Sequence, residues 1–111
     1  MERFVSGDVI VLEFPFSDLK SAKRRPALII KVPKGEDVII CQITSDSQNK
    51  EVEVSLKDNG FSKGGLKRDS YVRIDKITTI KTTRIEYKIG SLKKEKFDEI
   101  LNKISSFLKE D

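Results

Sequence analysis

Short runs of β-branched and other apolar residues recur along this chain, and that pattern limits the fold more than any other feature of the sequence. Runs of this kind, bounded by proline, glycine and polar residues, are typical of β-strands. They predict strands over residues 8–14, 27–32, 37–43, 51–56, 70–74, 76–80 and 83–89. The second and third runs are almost continuously apolar, which places both strands at the middle of a sheet with both faces buried.

Proline, glycine and polar residues mark the breaks between these strands. Pro15 ends the first strand, and residues 16–25 read as a loop. Pro26 is expected to open the second strand, because proline is tolerated at a strand's first position. Residues 44–50 form a polar loop, and residues 59–65, bracketed by glycines, are expected to be flexible turns.

The hydrophobic period changes towards the end of the chain. Apolar residues spaced three and four apart predict one face of an amphipathic helix, formed by Phe97, Ile100, Leu101, Ile104, Phe107 and Leu108. Gly90 and Ser91 mark its start, with Ser91 a candidate N-cap. Strands followed by one helix predict a mostly β fold, a small antiparallel barrel or half-barrel, in one domain over residues 1–111. The pattern leaves SH3-like, OB-like and other small barrels open.

The composition excludes several kinds of chemistry. The chain has no histidine, which removes histidine proton shuttles, Ser–His and Cys–His nucleophile pairs and the usual zinc sites. Cys41, the one cysteine, lies in an apolar run and is expected to be a small buried hydrophobe. A single cysteine, the lack of a secretion signal and the lack of a membrane-spanning run fit a cytoplasmic protein.

Positive charge is concentrated in one part of the chain. The net charge is +4, and residues 93–111 carry five lysines and five acidic residues, so the excess lies in residues 1–92. A basic cluster precedes Pro26 and consists of Lys20, Lys23, Arg24 and Arg25. Such a cluster is either a solvated loop or a contact surface for an anionic partner such as nucleic acid.

Three local features are compatible with a nucleic-acid site. Pro26 biases Arg25 towards an extended conformation, which would hold its guanidinium in place. Thr44 and Ser45 follow an apolar strand, where their hydroxyls either contact a ligand or cap the strand. Phe16 either stacks on a base, as aromatic residues do in single-strand binders, or plugs the barrel.

The same segments resemble the PemK/MazF toxins of type II toxin–antitoxin systems. Residues 7–18 and 23–30 are similar to the opening of these proteins, and residues 38–45 to their third strand with its Thr-Ser end. Residues 66–80 resemble their second conserved block, and residues 89–92 resemble their approach to the final helix. The resemblance covers nearly the whole chain and implies an SH3-like barrel.

The resemblance implies a homodimeric endoribonuclease that cuts single-stranded RNA at short sequences without a metal or other cofactor. In this family the ribose 2′-hydroxyl attacks, leaving a cyclic phosphate and a 5′-hydroxyl. The family's catalytic arginine and threonine correspond to Arg25 and Thr44. The resemblance also implies a cognate antitoxin whose acidic C-terminal tail covers the RNA groove.

The basic cluster and its neighbours supply the expected RNA-binding residues, which are Phe16, Lys20, Lys23, Arg24 and Ser45. Many relatives carry a glutamate in the first loop, proposed as a base, where this chain has basic and small residues. Asp18 is the nearest carboxylate, and its role as the base is a hypothesis. A non-catalytic nucleic-acid-binding barrel and a protein-interaction barrel are the alternatives.

Overall fold

The computed structural model describes residues 3–14 and 23–110. Within this part of the chain, strands and one helix follow in the order β1 (Asp8–Phe14), β2 (Lys23–Lys31), β3 (Asp37–Thr44), β4 (Glu53–Leu56), β5 (Phe61–Gly64), β6 (Ser70–Lys81), β7 (Ile85–Leu92) and α1 (Lys94–Lys109). The strands form one sheet in the order β4-β6-β3-β2-β1-β7-β5, and every pairing is antiparallel. The sheet curls into a half-barrel. The predicted mostly β fold with a C-terminal helix is confirmed, as is the central position of β2 and β3.

The sheet buries apolar side chains on both of its faces, because successive residues of a strand point to opposite sides. On one face, Ile100 and Ile104 of α1 pack against a cluster that includes Val9, Leu28 and Cys41. On the other face, a smaller cluster contains Ile10, Leu12, Ala27, Ile29, Val38 and Ile40. The central strands β1, β2 and β3 contribute to both clusters, which explains their nearly continuous apolar sequences.

The second strand begins earlier than the sequence predicts. β2 starts at Lys23, and Pro26 lies inside the strand, opposite Val11 of β1. The pairing of β2 with β3 runs from Ala27 onward, so Pro26 precedes that ladder and its missing N–H removes no bond from it. The basic residues at the start of β2 therefore belong to a strand rather than to a loop.

Pairing between distant strands also changes three other predictions. Residues 70–74 and 76–80 form one continuous strand, β6. The glycine-bracketed residues 59–65 include β5, which pairs with β7 and is therefore part of the sheet. Residues 50–52 form a 3-10 turn, so β4 begins only at Glu53.

The helix begins later than predicted, and Ser91 is not its N-cap. α1 starts at Lys94, while Ser91 belongs to β7, where it pairs with Asp8 on one side and Lys63 on the other. The Ser91 hydroxyl donates to the buried Asp8 carboxylate at 2.8 Å instead of capping the helix. Among the described residues, no helix is both long and apolar enough to cross a membrane.

Cys41 is fully buried in the larger apolar cluster, as predicted. Burial raises the pKa of its thiol to about 12, and the negative charge of Asp75 adds to the effect. The reactive thiolate is therefore scarce at neutral pH, and Cys41 serves as a packing residue.

We expect Ile100→Ala to lower the free energy of unfolding by about 2–5 kcal/mol, because it removes packed methyl groups and leaves a cavity. Ile100 lies on the buried face of α1 and is fully buried. The matched control is Leu108→Ala on the same helix, where the side chain is 66% exposed and the loss should be below about 0.5 kcal/mol. Denaturant titrations measure both values, and equal losses would contradict the described packing.

Candidate functional site

Arg25 and Thr44, the predicted catalytic pair, lie at the same end of two adjacent central strands. β2 and β3 are antiparallel, with Ala27 opposite Gln42. The ladder starts two residues after Arg25 and stops two residues before Thr44, so both residues lie just beyond the same end of it. Both residues line a depression of about 270 Å³ and a second one of about 120 Å³. The fold therefore brings together two residues that are well separated in the sequence.

The larger depression, called here the hydroxyl-lined depression, combines groups of several kinds. It is lined by Arg24, Arg25, Pro26, Ile43, Thr44, Ser45, Asp46 and Ser70. It therefore offers hydroxyls, arginine side chains and one carboxylate, that of Asp46, among its described lining residues.

The smaller depression, called here the basic depression, is lined by Arg25, Gln42, Thr44, Gln48, Arg73 and Lys76. Three of these side chains are cationic, the others carry an amide or a hydroxyl, and no described lining residue is acidic. Guanidinium and ammonium groups form strong, charge-assisted hydrogen bonds with phosphate oxygens. The composition of this depression therefore suits a phosphate group.

Arg73 is held by a two-pronged ion pair. Its Nε donates to Oδ1 of Asp75 at 2.9 Å, and its Nη2 donates to Oδ2 at 2.8 Å. These hydrogen bonds raise the pKa of Arg73 and lower the pKa of Asp75. The pair lies two residues apart on β6, hence on one face of the strand. It keeps the Arg73 guanidinium charged and oriented at the edge of the basic depression.

The Thr44 hydroxyl belongs to a short turn with Asp46. Its Oγ1 accepts a hydrogen bond from the backbone N–H of Asp46 at 3.1 Å, the pattern of a threonine turn. Its proton points towards the Asp46 carbonyl oxygen at 3.4 Å, longer than the usual O–H···O distance. A ligand oxygen can therefore take this proton as a hydrogen bond at little cost.

The buried carboxylate of Glu53 organises the loop that follows Thr44. It accepts hydrogen bonds from the Ser47 hydroxyl at 2.7 Å, from the Gln48 N–H at 2.8 Å and from the Asn49 N–H at 3.0 Å. The bond from Gln48 contributes most to a pKa of Glu53 below its ordinary value. Glu53 is only 5% exposed, because the loop that carries these donors covers it.

The described residues of the basic cluster differ in what they contact. Lys23 is exposed at the start of β2. Arg24 lines the hydroxyl-lined depression with Arg25 and also forms an ion pair with Glu86 of β7, with 2.9 Å between Nε and Oε1. Ser45 is exposed and lines the hydroxyl-lined depression. The predicted site residues Phe16, Asp18 and Lys20 lie outside the described residues.

Sequence reasoning missed several residues that line the basic depression, namely Gln42, Gln48, Arg73 and Lys76. The spacing of Arg73 and Asp75 on a strand was a usable signal for an ion pair on one face. That Arg73 lies near Thr44 could not be predicted from the sequence, because it depends on the register of β3 against β6. That register contains an irregularity between Cys41 and Ile43.

The arrangement can stabilise negative charge that develops on a phosphate. Donors held in place before the reaction are effective at this task because they need no reorganisation. In the described part of the chain, no group of three or more Cys, Asp or Glu side chains is placed to hold a metal ion.

Comparison with known proteins gives a match over most of the chain. The sequence pattern of the PemK-like, MazF-like toxins of type II toxin–antitoxin systems matches residues 6–108. No curated protein matches the chain by sequence.

Several solved structures share the fold. MazF from Deinococcus radiodurans superposes with a TM-score of 0.74 at 21% identity, covering 97% of this chain and 98% of that one. The Mycobacterium tuberculosis toxin MazF-mt6 gives 0.73 at 21% identity, covering 94% and 98%. An endoribonuclease in complex with its cognate antitoxin, from a mycobacterial species, gives 0.73 at 16% identity, covering 96% and 95%. At these identities the likeness establishes the fold alone.

The lowered pKa of Glu53 predicts a contribution to stability that depends on pH. A carboxylate whose pKa is lower in the folded than in the unfolded state stabilises the fold above the unfolded value and loses this effect as pH falls through the folded value. The difference in free energy of unfolding between the parent and Glu53→Gln should therefore shrink from roughly pH 5 downward. Denaturant titrations across that range measure it. The exposed Glu51→Gln is the control, and a constant difference for Glu53→Gln would contradict the assignment.

Proposed function

The chain belongs to the PemK-like, MazF-like toxins of type II toxin–antitoxin systems, and on that premise we propose that it is an endoribonuclease that cleaves single-stranded RNA without a metal ion. The observation that carries the proposal is the basic depression, which Arg25, Arg73 and Lys76 line together with Thr44. Cleavage of messenger RNA at short sequences inhibits translation and growth.

The proposed reaction uses the RNA's own nucleophile. The ribose 2′-oxygen bonds to the adjacent phosphorus, and the bond from phosphorus to the 5′-oxygen breaks. One proton leaves the 2′-hydroxyl and another is added to the departing 5′-oxygen. The products are a 2′,3′-cyclic phosphate and a 5′-hydroxyl, so neither a redox partner nor a cofactor is required.

Arg25 and Thr44 stabilise the charge that builds on the non-bridging phosphate oxygens during this attack. Arginine stays protonated at neutral pH because its pKa exceeds about 12, so Arg25 acts through its charge and hydrogen bonds rather than as a proton shuttle. The Thr44 hydroxyl donates a hydrogen bond to a phosphate oxygen, which replaces its 3.4 Å contact with the Asp46 carbonyl oxygen by a shorter one.

We assign the role of accepting the proton of the 2′-hydroxyl to a carboxylate. Asp18 is the first candidate, from its position in the first loop of the sequence. Asp46 is the second, because it lines the hydroxyl-lined depression together with Arg25 and Thr44. Asp75 is less suited, since both of its oxygens accept hydrogen bonds from Arg73.

Binding of the RNA strand extends beyond the two catalytic residues. Lys23 and Ser45, with Phe16 and Lys20 from the segment between β1 and β2, supply phosphate and base contacts along the RNA strand. Arg24 lines the hydroxyl-lined depression and can exchange its exposed ion pair with Glu86 for a phosphate. Arg73 and Lys76 add further contacts to the phosphate, since both line the basic depression.

The proposal includes partners and a location. A cognate antitoxin with an acidic C-terminal tail would bind the same cations as the RNA and block the depressions. A similar mycobacterial endoribonuclease has been solved with its cognate antitoxin, which supports this part of the proposal. We place the protein in the cytoplasm as a homodimer, with residues 1–111 as one toxin domain.

Arg25→Ala and Thr44→Val should each lower the rate of RNA cleavage by roughly 10²–10³, because each removes one preorganised donor. Thr44→Ser keeps the hydroxyl and should retain most of the activity. Lys109→Ala, which removes an exposed cation from α1, should cleave like the parent. A gel assay on a mixed single-stranded RNA measures the rates. Wild-type cleavage by Arg25→Ala or Thr44→Val would remove that residue from the catalytic pair.

Cleavage should persist in an excess of EDTA. The chain has no histidine, and its described acidic residues form no cluster suited to a metal ion. The same gel assay with and without chelator tests this expectation. Activity that is lost in EDTA and restored by magnesium would overturn the mechanism, and RNA binding without any cleavage would favour a non-catalytic binding barrel.

A further inference from the structure

Glu53 is a buried charged residue that lines neither of the two depressions. Burying a carboxylate is costly unless hydrogen bonds compensate for the lost water. Here the compensation comes mainly from three consecutive residues, Ser47, Gln48 and Asn49. The positive charge of Arg73, opposite on β6, adds a smaller contribution. Donors from the 47–49 loop therefore replace water around the carboxylate, which requires a defined conformation of this loop.

The 47–49 loop is anchored at both of its ends. At its start, the Thr44 hydroxyl accepts the N–H of Asp46 at 3.1 Å. At its end, Oδ1 of Asn49 accepts the N–H of Glu51 at 3.0 Å. The ammonium group of Lys103 on α1 donates to the backbone carbonyl of Glu53 at 3.2 Å. A loop held at these points presents its side chains in a fixed direction.

Gln48 is the member of the 47–49 loop that reaches the site. Its backbone N–H donates to Glu53, and the residue lines the basic depression beside Arg25 and Thr44. A glutamine side chain offers both a hydrogen-bond donor and an acceptor, which is the combination that distinguishes the edges of bases. In single-stranded RNA these edges are accessible, because the bases can be splayed out of the stack.

We infer that Gln48 contacts the base of the nucleotide next to the scissile phosphate and contributes to sequence selection, and that Glu53 is the positioning residue that holds Gln48 in place. The inference rests on the proposed RNA cleavage and assigns residues to its specificity. Glu53 touches no substrate in this assignment. It acts on the base preference through the loop, and its charge also raises the pKa of Arg73, which lies opposite it on β6.

The test is to sequence the cut sites that the full-length protein makes in a mixed single-stranded RNA. Gln48→Ala should reduce the preference for one base beside the cut by roughly tenfold, the size of one base contact. Glu53→Gln should reduce the same preference at the same position, because it weakens the bonds that orient the loop. The double variant Gln48→Ala/Glu53→Gln should lose no more than Gln48→Ala alone, since Glu53 acts through Gln48.

Two controls separate positioning from general stability. Gln42 lines the same depression but belongs to β3 rather than to the loop, so the effects of Gln42→Ala and Glu53→Gln on the base preference should multiply. Asp8 is a second buried carboxylate, which accepts the Ser91 hydroxyl at 2.8 Å and the Val5 N–H at 2.9 Å. Asp8→Asn should lower the Tm and leave the base preference unchanged.

Each remaining outcome also decides the inference. Glu53→Gln could leave the base preference unchanged, or it could change the preference equally in the parent and in Gln48→Ala. Either outcome would make Glu53 a purely structural residue and overturn the inference. If Glu53→Gln does not fold, Ser47→Ala removes one bond to the same carboxylate and should shift the preference in the same direction by a smaller factor. Absence of cleavage by the parent would overturn the proposed function itself, and the inference with it.

Discussion

β3 hydrogen-bonds to β2 along one edge and to β6 along the other, and the geometry of the site depends on these two ladders. The first ladder brings Arg25 and Thr44 to the same depression, and the second brings Arg73 and Lys76 there. Because each ladder joins segments that are distant in sequence, its formation costs chain entropy that the buried apolar faces of the strands must offset. The apolar residues of β2 and β3 therefore hold the polar residues at their ends in register.

Carboxylates in this protein hold cations and backbone groups in position around the site. Asp75 orients Arg73, Glu86 engages Arg24, and Glu53 ties down the loop after Thr44. As a result, the two arginines before Pro26 differ in their surroundings. Arg24 is paired with Glu86, whereas Arg25 lines the basic depression. The cations that line the basic depression come from β2 and from β6, and the neighbouring amides of Gln42 and Gln48 add uncharged hydrogen-bonding groups.

The main features of the fold were predictable from local patterns. Apolar runs identified the central strands, and residues spaced three and four apart identified α1, because these periods reflect the backbone geometry of each element. The resemblance to a known family directed attention to Arg25 and Thr44, and the structure brings both into one place. Boundaries were predicted less well. Lys23 lies in a strand and Ser91 ends in a sheet, because backbone pairing with distant strands outweighed the local signals of Pro26 and Gly90.

The sequence by itself determined the class of the fold, the absence of histidine chemistry and the burial of Cys41, since each follows from residue type and local period. The tertiary structure decided which polar groups meet. Arg73 meets the end of β3, and Glu53 lies opposite Arg73, only because strand register sets one residue opposite another. Strand register is a cooperative property of the whole sheet, since shifting a strand by one residue moves every side chain to the other face.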